Sequence, residues 1–190
     1  FATNRATIGG AVFLTTSTAE LTDVFFNDNA SATLGGALYL NGSAMLNRTS
    51  FIGNTSVQHG GAIWSNVAVQ IDNSIFSNNK VSSTAAYYGG AIYSTTGTAM
   101  LANLTFSNNT IAYKNASATL SYGGALYRNG GAVTLNNSVL WGNKRGDNIA
   151  DQLNAGILVN SAIVQNNYTS GTNIKFGDPM FTDAAIDDLS

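Results

Sequence analysis

Small, apolar and polar positions recur along this chain in a fixed order. Gly-Gly-Ala stands at Gly9, Gly35, Gly60, Gly89 and Gly123, each time followed by an apolar residue and then an aromatic one: Val12-Phe13, Leu38-Tyr39, Ile63-Trp64, Ile92-Tyr93 and Leu126-Tyr127. A second signature sets Asn three positions after a large apolar residue, in Phe1/Asn4, Phe26/Asn29, Phe51/Asn54, Phe76/Asn79, Phe106/Asn109, Leu140/Asn143 and Ile163/Asn166. Its successive intervals are 25, 25, 25, 30, 34 and 23 residues. Five and seven residues before the Phe run two more columns, Leu21, Leu46, Ile71, Leu101, Leu135, Leu158 and Ala19, Ala44, Val69, Ala99, Val133, Gly156. A spacing of two is that of a strand with one inner face. The residues between, Glu20, Met45, Gln70, Met100, Thr134 and Ile157, are chemically mixed, as an outer face allows. Three residues before the Phe stands Asp23, Arg48, Asn73, Asn103, Asn137 or Asn160, a polar position suited to a bend.

Each unit therefore predicts three short strands separated by bends, and no stretch carries the helical period over the length a helical repeat requires. About six such units stack into an all-β, right-handed, single-stranded parallel β-helix of six to seven coils, a solenoid roughly 30 Å long at ~4.8 Å per coil. The Asn of each unit is predicted to form a ladder of stacked amides. The paired Gly meets a turn that needs positive φ or close backbone approach. Simple alternation puts the aromatic column Phe13, Tyr39, Trp64, Tyr93, Tyr127 on the face of the preceding Ala, opposite Leu14, Leu40, Ser65, Ser94 and Arg128. Since Arg128 belongs outside, the aromatics are expected inside.

Composition narrows what such a rod does. Periodicity makes residues 1–190 one domain, and because the repeat is already running at Phe1 the chain reads as a fragment of a longer secreted surface protein, with coils of the parent at both ends. Only 9% of residues are charged and the net charge is -2, so no basic field is available for nucleic acid. There is no Cys and a single His, His59, which leaves neither disulfides nor a zinc site, and no cofactor is expected. No apolar run approaches the ~20 residues of a membrane helix, so no membrane insertion is expected within this segment.

Catalysis on a β-helix would need clustered carboxylates on neighbouring coils. Asp23 and Asp72 fall in adjacent polar columns but two coils apart, and the chain is expected not to be an enzyme. Asp178, Asp183, Asp187 and Asp188 could hold Ca²⁺, but better fit a turn at Asp178-Pro179 and a charged end that blunts an exposed strand edge. Arg145-Gly146-Asp147 is read as a solvated turn, not as an integrin-type tripeptide. His59 is read as an exposed turn residue. Nine Asn-x-Ser/Thr sequons follow from the abundance of Asn, Ser and Thr alone.

The spacing from each Gly-Gly to the following Phe position is nearly constant, so the length variation falls in two loops, Lys80 to Tyr88 and Thr110 to Tyr122. They leave the same corner of consecutive coils, and their roots are predicted to touch. Between them they carry Tyr87, Tyr88, Tyr113, Lys114 and Tyr122, amphipathic rings and a cation suited to a glycan or to a host or neighbour-cell surface protein. The bland alternative is that Tyr88 and Tyr122, each directly before Gly-Gly, only pack on the coil.

Gly-Gly-Ala-Ile-Tyr at Gly89 to Tyr93, followed by Phe-Ser-Asn-Asn at Phe106 to Asn109, resembles the repeats of chlamydial polymorphic outer membrane proteins, and the resemblance runs from Phe1 to about Asn143. The later stretch, through Gly177-Asp178-Pro179, is similar to the ends of β-helix domains in anchored surface proteins of Bacteroidota. These resemblances imply export, display at the bacterial cell surface and adhesion. They carry over no catalytic residue, which leaves three expectations: an adhesive or ligand-binding module, a passive stalk, or a polysaccharide lyase or hydrolase.

Overall fold

The computed structural model describes residues 1–83, 85–113, 122–146, 149–165 and 168–180. Those residues form 23 strands and no helix, and every strand-to-strand pairing is parallel. Like positions of successive units pair in register, for example Ile63 with Leu38 and Ile92, and Phe76 with Phe51 and Phe106. Each unit is thus one coil of a parallel β-helix.

A coil has four strand segments where three are predicted. The Gly-Gly segments (Val12–Leu14, Leu38–Leu40, Ile63–Ser65, Ile92–Ser94, Leu126–Arg128) stack as a five-stranded sheet. The alternating segments, such as Val69–Asp72, and the Phe segments, such as Ile75–Ser77, form two walls joined through the eight-residue strand Ile157–Val164. The additional segment is a two-residue strand directly after each ladder Asn: Arg5–Ala6, Ala30–Ser31, Thr55–Ser56, Lys80–Val81, Thr110–Ile111 and Lys144–Arg145. Two residues are too short to leave an alternation signal.

Left-handed backbone marks the corners. One column of positive φ is the polar bend, Asp23, Arg48, Asn73, Asn103, Asn137 and then Ser161; another lies immediately before the ladder Asn, at Asp28, Gly53, Asn78, Asn108 and Gly142. Asn, Asp and Gly tolerate this conformation best, which accounts for their recurrence there. The Gly pair divides two tasks. Gly60 has φ +66°, whereas a Cβ on Gly61 would lie 2.0 Å from the Gly90 carbonyl oxygen one coil away. The first Gly makes the turn and the second lets the coils close.

The interior is a set of ladders. Phe1, Phe26, Phe51, Phe76 and Phe106 stack face to face with ring centroids 4.8–5.2 Å apart, and Leu140 continues the buried column. Beside them runs the amide ladder. Asn29, Asn54, Asn79, Asn109 and Asn143 are fully buried, and each takes at its Oδ1 both the backbone N–H and an Nδ2 hydrogen of the Asn one coil earlier, at 2.8–3.0 Å. The second Nδ2 hydrogen goes to a main-chain carbonyl, as from Asn79 to Phe51. Every polar atom of these buried side-chain amides is satisfied, so their hydrogen bonds offset the cost of taking them out of water.

Two expectations are corrected here. The aromatic column faces outward: Leu38, Ile63, Ile92 and Leu126 are the buried residues of that sheet, while Phe13 is 54% exposed and Tyr39, Trp64 and Tyr127 are half-buried. The cause is a bulge. Ala62 and Ile63 both donate their N–H to the Ala91 oxygen, and the same sharing recurs in neighbouring coils. The Ala and the apolar residue after it therefore both point inward, and alternation restarts one residue late. Arg128 does lie in the inner column, but on the last strand of the sheet, where its Nε turns back to the Gly131 carbonyl at 2.7 Å.

The last coil is also one residue out of the predicted register. Ile157 and Val159 pair with Val133 and Leu135 and are buried, whereas Leu158 pairs with Thr134 and is 47% exposed; Val164, not Ile163, continues the Phe column. Leu158 and Ile163 keep the same mutual spacing as Val159 and Val164, so spacing alone could not choose between them, and a slip of one exchanges inner and outer faces. Asn166, expected as the next ladder residue, lies outside the described residues.

Candidate functional site

The two extended loops meet as their roots require. Lys80–Val81 pairs with Thr110–Ile111, the Gly89 N–H donates to the Tyr122 oxygen, and the Tyr88 and Tyr122 rings stack at 5.3 Å. Val81 and Ile111 are inward and fully buried, and with Tyr122 they form a small second core against which Tyr87, Tyr88 and Tyr113 pack. Tyr122 is buried, and Tyr88 also lies on Tyr127 at 4.4 Å. These two rings do behave as packing on the coil. Tyr87 and Tyr113 sit at the rim, half-buried, Tyr113 meeting Tyr122 edge to face at 5.2 Å. Lys114 lies outside the described residues.

His59 belongs to this cluster, which sequence placed only in an exposed turn. It is half-buried, with its ring stacked on Tyr93 at 4.4 Å and on Tyr88 at 5.5 Å and met edgewise by Tyr87 at 5.0 Å. Its Nδ1 accepts the Tyr88 backbone N–H at 3.1 Å. Burial pushes its pKa down to about 4, so the imidazole is neutral. Burial also raises Tyr93 and Tyr127, with adjacent tyrosines adding to the effect, and their hydroxyls stay protonated.

The outer aromatic column joins the loops to the rest of the rod. Phe13, Tyr39 and Trp64 stack in sequence at 4.9 and 4.4 Å, and Tyr93 and Tyr127 at 5.6 Å. Because the rings cover one another's faces, the column presents mainly edges to solvent, and flat stacking of a ligand along it has little free surface.

Below the tyrosines the outward side of the two-residue strands carries charge. Lys80, Thr110 and Lys144 occupy one column, each paired with the next across the sheet. Neither Lys is in an ion pair among the described residues, where one bridge is present, Arg48 to Asp23 at 2.7 Å. The column borders a groove of about 270 Å³ that includes Ala112, Arg145 and Gly146. Gly146 is tied by its N–H to the Tyr113 carbonyl, so groove and tyrosine rim are continuous. Arg145 is not in a solvated turn: its side chain is 2% exposed and its guanidinium carbon lies 5.8 Å from the Tyr122 ring centre. Asp147, the third residue of that tripeptide, lies outside the described residues. Lys144 and Arg145 were not foreseen as site residues. Yet Lys80, Thr110 and Lys144 each follow a ladder Asn, and that register was available in the sequence.

The acids considered for catalysis are engaged singly. Asp23 makes two bonds to Arg48, and Asp72 accepts from Asn103 at 2.7 Å. Asp178 accepts the Met180 N–H, as a turn requires, and Asp183, Asp187 and Asp188 lie outside the described residues. No group of three potential metal ligands occurs among the described residues.

Residues 23–41, 48–66 and 73–95 match the model of the Chlamydia polymorphic membrane protein repeat. Each match opens at a left-handed corner residue, Asp23, Arg48 or Asn73, and runs through the Phe, the ladder Asn, Gly-Gly and the aromatic of the next strand. No curated protein and no solved structure matches the chain. The coils around Phe26, Phe51 and Phe76 are thus similar to the Chlamydia polymorphic membrane protein repeat, and the ladders just described are built by the residues that carry the match.

Proposed function

We propose that this chain is a non-catalytic β-helix module of a bacterial cell-surface protein, and that it adheres to a glycan or a host or neighbour-cell protein through the corner where its two long loops meet. The observation that carries this reading is the convergence of Tyr87, Tyr88, Tyr113 and Tyr122 from different coils onto one small core, with Tyr87 and Tyr113 left at its rim. Half-exposed tyrosines on a rigid frame offer contact area at low entropic cost. The repeats support surface display, since they match those of proteins described as polymorphic membrane proteins. A non-catalytic role is supported by three of the acids weighed for a site: Asp23 is engaged by Arg48, Asp72 by Asn103, and Asp178 by a turn.

Adhesion of the purified chain to cultured cells tests the reading. Tyr87→Ala with Tyr113→Ala is expected to abolish adhesion with a modest fall in the melting temperature, because both half-buried rings pack on the second core while the coil beneath keeps its ladders. Undiminished adhesion by that variant would remove the loops as the site, and no adhesion by the unaltered chain would favour a passive stalk. The packing of Tyr88 and Tyr122 on the coil is the observation that favours the stalk.

A further inference from the structure

The structure assigns the groove beside the tyrosine rim as a binding site for an acidic polysaccharide, one carrying sulfate or carboxylate groups along its chain. This deepens the adhesive function proposed above by naming the ligand class, and it rests on that proposal.

Eight Lys and Arg are spread over 190 residues of net charge -2, yet Lys80, Lys144 and Arg145 all border one groove. The sheet fixes their arrangement. Lys80 and Lys144 stand in a single outward column with Thr110 between them, two coils apart, a separation on the order of 10 Å along the rod axis. That is about the repeat of a disaccharide, so two successive anionic groups of an extended chain can each meet one ammonium. The Thr110 hydroxyl lies between to bond a sugar oxygen. Arg145 forms part of the floor and is held under Tyr122. Tyr113 edges the groove through the Gly146 hydrogen bond and supplies an amphipathic ring for a sugar face. The other cations of the described residues do not join this group: Arg48 is paired with Asp23, Arg128 turns to the Gly131 carbonyl, Arg5 stands at the far end of the column, and Lys175 lines a different groove with Asn137 and Ser161.

Upstream positions of the same column hold Arg5, Ala30 and Thr55, so two uncharged rungs separate Arg5 from Lys80 and the groove.

Chondroitin sulfate, with neutral dextran as control, is the probe for isothermal titration against the intact chain. Binding to chondroitin sulfate but not dextran is expected. It should weaken about tenfold in Lys80→Gln/Lys144→Gln, and it should fall as salt is raised from low to physiological strength. The melting temperature of the double variant should match the parent, since both ammonium groups lack an ion pair among the described residues. Equal affinity of parent and variant, equal binding of dextran, or binding only to vesicles containing phosphatidylserine would each overturn the assignment. Cell adhesion measured in parallel separates the two levels. A chain that adheres to cells without binding chondroitin sulfate refutes the acidic-glycan site alone, and a chain that does neither refutes the adhesive function with it.

Discussion

Asn79 receives at one side-chain oxygen both the backbone N–H and the side-chain N–H of Asn54, each at 3.0 Å. Its own Nδ2 is spent on the Phe51 carbonyl and on Asn109. Removing this amide leaves two donors of Asn54 without a partner and takes one hydrogen bond each from the Phe51 carbonyl and the Asn109 Oδ1. Asn79→Ala is therefore expected to cost about 3 kcal/mol in urea unfolding, since each orphaned buried group costs ~1–3 kcal/mol. The exposed Asn41, reached by Asn66 at 3.3 Å, is the comparison: Asn41→Ala should change stability by less than ~0.5 kcal/mol.

Gly61 touches the next coil through bare backbone. A Cβ there would meet the Gly90 oxygen at 2.0 Å, whereas one on Gly177 would meet nothing within 4 Å. Gly61→Ala must push two coils apart at a hydrogen-bonded rung and is expected to cost ~3 kcal/mol or more, at the upper end of overpacking. Gly177→Ala should be neutral, and the two denaturation midpoints settle it.

The pH dependence of stability should carry the signature of His59. Its folded pKa is about 4, depressed by burial from the ordinary imidazole value of 6.5, so as pH falls below 6.5 the unfolded chain takes the proton first. Stability conferred by neutral His59 is full above that value, declines between about 6.5 and 4, and levels off below. A partly exposed ring discounts the effect to on the order of 1–2 kcal/mol. Carboxylates titrate in the same window, so the measurement is the difference between parent and His59→Gln at pH 7 and pH 4.5. The parent should lose more on acidification than the variant.

Leu158 and Val159 test the register of the last coil. Sequence spacing puts Leu158 inside; the structure buries Val159 completely and leaves Leu158 47% exposed. Val159→Ser should cost ~2 kcal/mol or more by losing apolar burial and placing a hydroxyl in the core. Leu158→Ser should stay within ~0.5 kcal/mol. The reverse order would restore the register read from spacing.

The sequence by itself determined the coil. Gly-Gly-Ala, the Phe/Asn pair and the two alternating columns repeat because each coil meets the same neighbours above and below, so like residues must stack on like. The stacked Phe1 to Phe106 rings and the Asn4 to Asn143 amides are that constraint made visible. The contact of the two loops was equally legible, because their roots follow Asn79 and Asn109, adjacent rungs of one ladder. What alternation could not reveal lies where alternation is interrupted. The carbonyl shared by Ala62 and Ile63 turns Trp64 and its column outward, and a choice between two equivalent spacings decides whether Leu158 or Val159 is buried. His59 and Arg145 depended on tertiary structure alone. His59 lies against Tyr88 and Tyr93 and Arg145 against Tyr122, and only closure of the helix brings residues so far apart in the chain together.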